Sequence, residues 1–402
     1  MKNQKVCVIG GGAAGLIAAI FAAREHASVL LLEQNEKPGK KILVTGNGKC
    51  NLTNRYQDPS CYRGTHPEFA WQVTHEFTMQ NTVAFFTKLG IYTKNKNGYL
   101  YPASGQASSV LEVLEAEARH LKVKIKCREQ VVELQETPEN PEGAWTILTK
   151  TWHYEADKVI LACGSPASEI PGACTSGYEL AQRLGHTLVE PLPALVPLTG
   201  KGNYFSGWAG VRVEGTALLQ VDGEIVAGER GELQLTEYGI SGIPVFQIST
   251  FAVRALKERK KVSVILDFMP EFDLDTLKAF LQGRLEDCPY KSLKESLTGL
   301  FPKKLIDVLM TGKPDLDKLA EKIKAFPLEI KSSRPLKQAQ ICSGGVSTEE
   351  ICPETMESKK KKGLYFAGEM VDVDGICGGY NLQWAWSSGA VAGRSAANPE
   401  ED

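Results

Sequence analysis

The feature that most constrains this 402-residue chain is a glycine-rich turn between an apolar strand and a helix near its start. Lys5 to Ile9 is typical of a buried strand, Ala14 to Arg24 of a helix, and Ser28 to Leu32 of a second buried strand. A strand, a helix and a strand in such close succession open a parallel, doubly wound sheet. The sequence therefore predicts an α/β fold with a Rossmann-like domain.

Each glycine of the Gly-x-Gly-x-x-Gly turn has its own physical role. Gly10 permits a tight turn, Gly12 lets the backbone approach a pyrophosphate, and Gly15 allows close packing of helix on strand. The helix that follows presents unpaired N–H groups to the phosphates. Glu33, at the end of the second strand, can accept hydrogen bonds from both ribose hydroxyls of an adenosine and would repel a 2′-phosphate. Together these features predict dinucleotide binding.

Two more segments of the sequence distinguish FAD from NAD as the bound dinucleotide. Residues 39–54 read as a long ordered loop, rich in glycine and in donors such as Lys40, Lys41 and Asn51. Near the C-terminus, Gly368-Glu369 follows an apolar strand, and Gly378 to Asn381 open a helix. An acid at a strand end suits ribityl hydroxyls, and a helix N-terminus suits the pyrimidine edge of a flavin. These distal contacts favour FAD, since a chain that binds only NAD has no need of them.

The composition of the chain changes at about residue 191. Closely spaced prolines and alternating strands with glycine turns begin there, and the pair Asp222-Gly223 is typical of a hairpin. We therefore predict an FAD-binding domain at 1–190 and 335–402, interrupted by a mixed β and helical insert at 191–334. We expect this insert to cap the substrate site. Within the first part, the pattern predicts helix near 67–89 and a turn at 137–143.

Charge and cysteine content limit the partners. Lys and Arg total 46 against 48 Asp and Glu, which gives a net charge of −2 without a basic stripe. Nucleic acid is therefore not expected as a partner. The 10 cysteines form no CxxC pair and no zinc-type spacing, which is typical of reduced thiols in a cytoplasmic protein without a metal site. No transmembrane segment is expected.

Several long motifs resemble the BaiN/RdsA-type flavoproteins, which include aminoacetone oxidases and 3-dehydro-bile-acid Δ4,6-reductases. The resemblance rests on VCVIGGGAAGL at the start, KPGKKILVTGNGKCNLTN in the loop, SGGV at 343–346 and YFAGEMVDVDGICGGYNLQWAWSSG at 365–389. It extends over essentially the whole chain. One departure lies at the strand end, where such flavoproteins usually have Ala-Thr-Gly and this chain has Ala162-Cys163-Gly164. A thiol is a weaker hydrogen-bond donor than a hydroxyl, so the sequence predicts a weaker contact at this position.

The resemblance implies a set of FAD contacts along the whole cofactor. They are Gly10, Gly12, Ala13, Ala14 and Gly15 at the pyrophosphate, Glu33 at the ribose, the backbone of Val131 at the adenine, Lys40, Lys41, Thr45, Gly46, Gly48 and Asn51 along the cofactor, Ala162 and Gly164 at the strand end, Gly368 and Glu369 at the ribityl chain, and Gly379, Tyr380, Asn381 and Leu382 at the flavin ring.

Flavin carries its own redox chemistry, so a dedicated acid–base pair is not required. Tyr380 and Lys49 are the candidates for a proton donor or oxyanion stabiliser. Cys50 and Cys377 lie in cofactor loops, where a redox thiol and simple packing are both open. All six histidines lie outside the cofactor motifs and are expected at the surface or on helices. Aromatic residues at 204–208 either line a substrate pocket or form the core of the insert.

These patterns predict an FAD-dependent oxidoreductase that transfers hydride to a small organic substrate, such as a 3-oxo-Δ4,6 steroid enone. The alternatives are an aminoacetone-type oxidase that produces hydrogen peroxide, a tRNA-modifying flavoprotein, and a binder that uses FAD structurally. A second Gly-x-Gly-x-x-Gly with a following acid is lacking from the sequence. NAD(P)H would therefore visit the flavin transiently, or oxygen would be the redox partner.

Overall fold

The computed structural model describes residues 3–137 and 144–398, so most of the predicted turn at 137–143 lies outside the described residues. The chain divides into two compact units. One comprises the residues up to Pro191 and from Ile341 onwards, and the other comprises Leu192–Gln340. The second unit thus continues beyond the predicted boundary at 334. The role of the insert as a cap stays a prediction.

The first part of the chain alternates short strands and helices. Its elements are β1 (Lys5–Ile9), α1 (Ala13–Arg24), β2 (Ser28–Glu33), α2 (Lys40–Val44), β3 (Thr53–Asn54), β4 (Tyr62–Arg63), α3 (Pro67–Glu76), α4 (Met79–Lys88), β5 (Thr93–Lys96), β6 (Tyr99–Pro102), α5 (Ala107–His120), β7 (Lys124–Cys127), β8 (Val131–Glu136), β9 (Trp145–Thr149), β10 (His153–Ala156), β11 (Lys158–Leu161), α6 (Ser176–Arg183) and β12 (Leu188–Ala194).

The insert and the returning segment complete the fold. The insert contains β13 (Leu198–Gly200), α7 (Phe205–Trp208), β14 (Val211–Val221), β15 (Glu224–Thr236), β16 (Gly239–Ser241), α8 (Ile243–Lys257), β17 (Val262–Asp267), α9 (Leu274–Asp287), α10 (Leu293–Ser296), α11 (Lys303–Leu309), α12 (Leu316–Lys324) and β18 (Phe326–Ser333). The chain then forms β19 (Ile341–Val346), β20 (Leu364–Phe366), β21 (Asp374–Gly375) and α13 (Tyr380–Ala397).

A five-stranded parallel sheet in the order β20-β11-β1-β2-β7 forms the centre of the first unit. The inner strands β11, β1 and β2 are nearly continuous apolar runs because both faces of a parallel sheet are covered, whereas the edge strand β7 alternates lysine with apolar residues. The central strand β1 pairs with β11 and β2 on its two sides, so that Val6 lies opposite both Lys158 and Val29. The prediction of a Rossmann-like α/β fold is confirmed.

Helices α1 and α13 pack closely because small residues line their contact. Residues 14–22 of α1 are all buried. A Cβ on Gly389 would lie 2.5 Å from the carbonyl oxygen of Ala14, and one on Gly393 would lie 2.3 Å from that of Ala18. Only glycine fits at such a separation. None of the described helices combines the length and apolarity required to span a bilayer.

Two local predictions are corrected by the structure. The helical stretch near 67–89 is two helices, α3 and α4. They separate at Thr78. Its hydroxyl accepts a hydrogen bond from Asn81 N–H at 3.2 Å, and the Asn81 side-chain oxygen accepts one from Thr78 N–H at 2.9 Å. Such a capping box starts a new helix. The loop at 39–54 is more regular than expected, since it contains α2, a 3-10 turn at Thr45–Gly48 and β3.

The second unit is built on a closed six-stranded barrel in the order β13-β16-β15-β14-β17-β18. The predicted hairpin is confirmed, because Asp222-Gly223 connects β14 to β15 with Val221 opposite Glu224. Phe205 and Trp208 are buried in the core of this unit. Of the two interpretations of the aromatic cluster, the structure therefore favours an internal core.

His186 is buried, in contrast to the sequence expectation. Its Nε2 lies 3.0 Å from the Ser358 hydroxyl, and its Nδ1 lies 3.1 Å from Glu350. The Ser358 oxygen already accepts from the N–H groups of Lys360 and Lys361 at 3.0 and 2.9 Å. The hydroxyl must therefore donate to Nε2, and Nδ1–H donates to the carboxylate. This hydrogen-bond pattern requires a neutral imidazole.

We predict that this cluster makes stability depend on pH. Burial lowers the pKa of His186 from 6.5, although Glu350 opposes that shift. The unfolded chain therefore binds the proton more readily, so the stability is fully present above about pH 6.5 and falls as the pH drops towards the folded-state pKa. Burial raises the pKa of Glu350, but hydrogen bonds from Lys360 and Thr187 outweigh it and lower the pKa to about 2. Glu350 therefore stays charged throughout this pH range.

The measurement is urea unfolding of the wild type, His186→Gln and the exposed control His120→Gln between pH 7.5 and pH 5 (about the range in which histidine titrates). We expect a flatter pH profile in His186→Gln and an unchanged profile in His120→Gln. Equal slopes in all three proteins would contradict the assignment.

The helix contact gives a second prediction. Gly393→Ala should lower the free energy of unfolding by ~1–3 kcal/mol, because the new methyl group meets a backbone oxygen that cannot move aside. Gly283→Ala in α9 is the matched control. It has no heavy atom within 4 Å of the new Cβ and should gain ~0.5–1 kcal/mol from helix propensity. Calorimetry of both variants tests the contrast, and effects of the same sign would contradict it.

Candidate cofactor-binding and active site

The glycine-rich turn lies where β1 and β11 end side by side. Gly10 has φ +104°, and a Cβ there would lie 2.4 Å from the carbonyl oxygen of Ala162. A Cβ on Gly15 would lie 1.8 Å from Gly10 O, so helix and strand touch through backbone. Gly12, the N-cap of α1, faces open space, and α1 begins at Ala13. The turn is thus an open cradle of N–H groups that fits a pyrophosphate.

Glu33 is buried at the end of β2, and its carboxylate holds the glycine-rich turn through a hydrogen bond. Its Oε2 accepts from Gly11 N–H at 2.7 Å, and its Oε1 accepts from the backbone N–H and side-chain amide of Asn35 at 2.8 and 2.7 Å. Nearby, Arg128 N–H and Glu129 N–H donate to the carbonyls of Asn35 and Glu33. The carboxylate is therefore held in one orientation beside the phosphate turn, as binding of an adenosine ribose requires.

Val131, expected at the adenine, begins β8 and is buried shortly after this Glu129 contact. Gly164 adopts φ +73° directly after the β11 strand end. The thiol of Cys163 is 3.6 Å from the carbonyl of Ile9, and burial raises its pKa to about 12. At this position the thiol therefore contacts a backbone carbonyl of the protein.

A charged cluster follows β20. Glu369 forms an ion pair with Lys41 and accepts from the Ser165 hydroxyl at 2.6 Å and from Cys342 N–H at 3.2 Å. Gly368, just before it, has its N–H bound by the Ser388 hydroxyl of α13 at 2.9 Å. The sequence patterns had indicated Lys41, Gly368 and Glu369 but not Ser165 or Cys342.

The loop after α2 contains an unusual left-handed turn. Gly46, Asn47 and Gly48 all have positive φ, and Cys50 follows with φ +55°. Only glycine adopts this conformation without strain, so two of the glycines expected along the cofactor are required by the backbone. Lys40 is half-buried at the start of α2, and the Thr45 hydroxyl donates to Ile42 O at 2.6 Å. Thr45 thus orders the loop itself.

Asn51 links this loop to α13. Its Oδ1 is buried and has no hydrogen-bond partner among the described residues. Gly379, the left-handed N-cap of α13, would bring a Cβ within 3.0 Å of that atom. Asn381 fixes the turn by bonding both the N–H and the carbonyl of Gly375 at 2.8 and 2.7 Å. An orphan acceptor beside a helix N-terminus fits the pyrimidine edge of a flavin, which offers a ring N–H and carbonyl oxygens.

The remaining candidate residues have distinct surroundings. Tyr380 is buried, and its hydroxyl donates to the carbonyl of Tyr56 at 3.0 Å. Lys49 is exposed, and Leu382 packs partly buried against the core. Burial raises the pKa of Cys50 to about 12, so this thiol is protonated at neutral pH. That state is typical of packing and not of a redox thiol.

Several residues that the sequence singled out, from Gly10 to Gly15 and at Glu33, Gly164 and Glu369, therefore lie at the carboxyl edge of the parallel sheet, after β1, β2, β11 and β20. Ligands of open α/β sheets bind at this edge. A model of the HI0933-like protein Rossmann domain matches residues 4–395. The chain belongs to the HI0933-like family. This match, together with two relatives of assigned activity, confirms the expected resemblance to the BaiN/RdsA-type flavoproteins.

Two relatives in the family carry assigned activities. A 3-dehydro-bile acid delta(4,6)-reductase of Clostridium scindens is 46% identical, with 98% of this chain and 99% of the relative covered. A ribosomal RNA dihydrouridine synthase of Escherichia coli is 30% identical, with 96% of each chain covered.

Solved structures agree on the fold. A flavocytochrome c3 fumarate reductase aligns with a TM-score of 0.51 and 15% identity over 98% of this chain and 78% of its own. A 3-ketosteroid-delta4-(5alpha)-dehydrogenase of Rhodococcus jostii aligns with a TM-score of 0.50 and 16% identity over 99% of this chain and 98% of its own. At these identities the likeness is one of fold.

The site predicts a selective effect of Glu33→Gln. The affinity for FAD should fall by ~1–3 kcal/mol, the scale of a lost charge-assisted hydrogen bond. The affinity for FMN, which has no adenosine, should change much less. Flavin fluorescence titration of the apoprotein measures both. Glu36→Gln is the control, because Glu36 is exposed close by. Equal losses for FAD and FMN would mean that Glu33 acts only by holding the turn.

Proposed function

We propose that this member of the family is an FAD-dependent oxidoreductase that saturates a carbon–carbon double bond conjugated to a carbonyl. The substrate class is a 3-oxo-Δ4,6 steroid acid. The observation that carries the proposal is the 46% identity to a 3-dehydro-bile acid delta(4,6)-reductase over 98% of this chain. Identity of that extent covers both sequence parts of the cofactor site and the insert.

In this proposal, different segments of the chain bind different parts of FAD. The turn from Gly10 to Gly15 would hold the pyrophosphate, Glu33 the adenosine ribose, and Glu369 the ribityl chain. When bound, the cofactor supplies the hydride and accepts electrons from the donor. Lys41 balances the charge of Glu369, which would otherwise repel the phosphates.

The N-terminus of α13 has an electrostatic role in this proposal. Its free N–H groups and dipole stabilise negative charge at that end of the helix by ~0.3–2 kcal/mol. Gly379 permits the close approach, and Asn51 supplies an acceptor beside it. We assign Tyr380 to positioning, since its hydroxyl proton is engaged by Tyr56 and fixes the loop before the helix. Lys49 remains the candidate proton donor.

A second candidate is reduction of uridine in RNA, supported by the 30% identity to a ribosomal RNA dihydrouridine synthase. Uridine also has a double bond conjugated to a carbonyl, so both reactions need the same flavin chemistry. The lower identity and the net charge of −2 favour the steroid acid. The aminoacetone-type oxidase has no such observation in its favour and stays a prediction.

The decisive experiment identifies what reoxidises the reduced protein. The purified flavoprotein is reduced anaerobically and mixed, in separate experiments, with 3-oxochola-4,6-dien-24-oic acid, a uridine-containing ribosomal RNA fragment, or oxygen. Flavin absorbance follows the reaction, and mass spectrometry identifies the product. We expect the steroid enone to reoxidise the flavin fastest and to gain two hydrogens.

The saturated 3-oxo steroid acid is the matched control, because it retains the shape and charge but has no conjugated double bond. It should bind without reoxidising the flavin. Fast reoxidation by oxygen alone would support the oxidase, and reduction of the RNA alone would support the second candidate. Either result would reject the proposed reaction.

A further inference from the structure

A small sheet beside the cofactor loop has a polar, aromatic face with no assigned role. The strands pair in the order β3-β6-β5. Along β6, Leu100 and Pro102 point inwards and are buried, whereas Tyr99 and Tyr101 alternate with them and are only half-buried. Because successive side chains of a strand point to opposite faces, the two tyrosines share the outer face.

This face adjoins the glycine turn of the loop expected along the cofactor and the turn that we assign to the flavin ring. The Cε1 atom of Tyr101 lies 3.6 Å from the place that a Cβ on Gly46 would occupy. The Cε1 atom of Tyr99 lies 3.2 Å from the corresponding place on Gly378. The Asn54 amide of β3 donates to Gly378 O at 3.1 Å and ties the sheet to the turn. The tyrosines thus extend outwards from the candidate ring site.

Two lysines continue the same face on the edge strand. Lys94 pairs with Tyr101 and Lys96 with Tyr99, and directly opposite residues of antiparallel strands share a face. The Lys96 Nζ lies 5.8 Å from the centre of the Tyr101 ring, which shows the shared side directly. Both lysines are exposed, and neither forms an ion pair with a carboxylate in the described part of the chain.

Two lysines elsewhere in this unit are neutralised by carboxylates. Lys360 forms an ion pair with Glu350, and Lys361 forms one with Glu136, both at 2.6 Å. By contrast, the positive charge of the two lysines on β5 is not neutralised by any carboxylate of the described residues. Aromatic rings next to uncompensated ammonium groups suit a ligand with an apolar body and an anionic end.

We propose that this face, formed by Lys94, Lys96, Tyr99 and Tyr101, is a substrate subsite for the carboxylate-bearing end of an apolar polycyclic acid. The apolar skeleton lies along the tyrosines, and the carboxylate meets the lysines at the edge strand. The proposal rests on the proposed function and deepens it. In a bile acid the 3-oxo group and the carboxylate are at opposite ends, which matches a reacting centre near the glycine turns and an anion site farther out.

RNA is the less favoured occupant of this face. RNA affinity depends on neutralising many phosphates along a cationic stripe. The face provides two lysines on a four-residue strand in a chain whose net charge is −2. One carboxylate is the better match to that charge.

The test compares binding of 3-oxochola-4,6-dien-24-oic acid with binding of its methyl ester, which has the same skeleton without the charge. Equilibrium dialysis against the oxidised holoenzyme gives both dissociation constants and does not depend on turnover. In the wild type the acid should bind more tightly than the ester. In Lys94→Gln/Lys96→Gln this preference should fall by about threefold to tenfold, the range for two exposed charge contacts.

The Lys94→Arg/Lys96→Arg variant should retain the preference, and added salt should reduce it in the wild type. Lys88→Gln/Lys124→Gln is the matched control, since both lysines are exposed in the same unit and belong to α4 and β7 instead of this face. An unchanged preference in Lys94→Gln/Lys96→Gln overturns the subsite. So does failure of the acid to bind, or a loss of affinity confined to a ribosomal RNA fragment. Acid-selective binding without turnover would support the subsite and contradict the proposed reaction.

Discussion

The backbone contact between α1 and α13 is the constraint on which the rest of the site depends. Helix α1 begins at the phosphate turn, and α13 begins at the turn assigned to the flavin ring. Gly389 and Gly393 let the second helix lie directly on the carbonyls of Ala14 and Ala18. Segments from opposite ends of the chain are thereby held at a fixed separation, which a cofactor as long as FAD requires. A larger side chain in this contact would displace one half of the site from the other.

Local patterns predicted the parts of the fold and of the candidate site that depend on neighbouring residues. The turn at Gly10 to Gly15, Glu33 at the end of β2 and the hairpin at Asp222-Gly223 each follow from a few consecutive residues. The Ser165–Glu369–Lys41 cluster could not be predicted in this way, because its members come from three distant segments. No spacing rule brings a serine after β11 to an acid after β20.

The burial of His186 also depends on distant residues, so local sequence patterns could not predict it. His186 follows a helix in a polar context, which is typical of a surface residue. It is buried because Ser358 and Glu350 satisfy both ring nitrogens, and a buried imidazole is costly only without such partners. Similarly, the split between α3 and α4 depends on one capping interaction at Thr78, which apolar periodicity does not record.

The family assignment separates the shared chemistry from substrate choice. Relatives that act on a bile acid and on ribosomal RNA match the chain along its length, so the reduction of a conjugated double bond does not itself discriminate between them. The residues proposed to hold the cofactor would serve either reaction equally. Selectivity must then come from surfaces beside the ring site that the cofactor does not occupy. The proposed subsite on the β3-β6-β5 sheet would be such a surface, since Tyr99 lies beside Gly378 and the exposed edge strand carries Lys94 and Lys96.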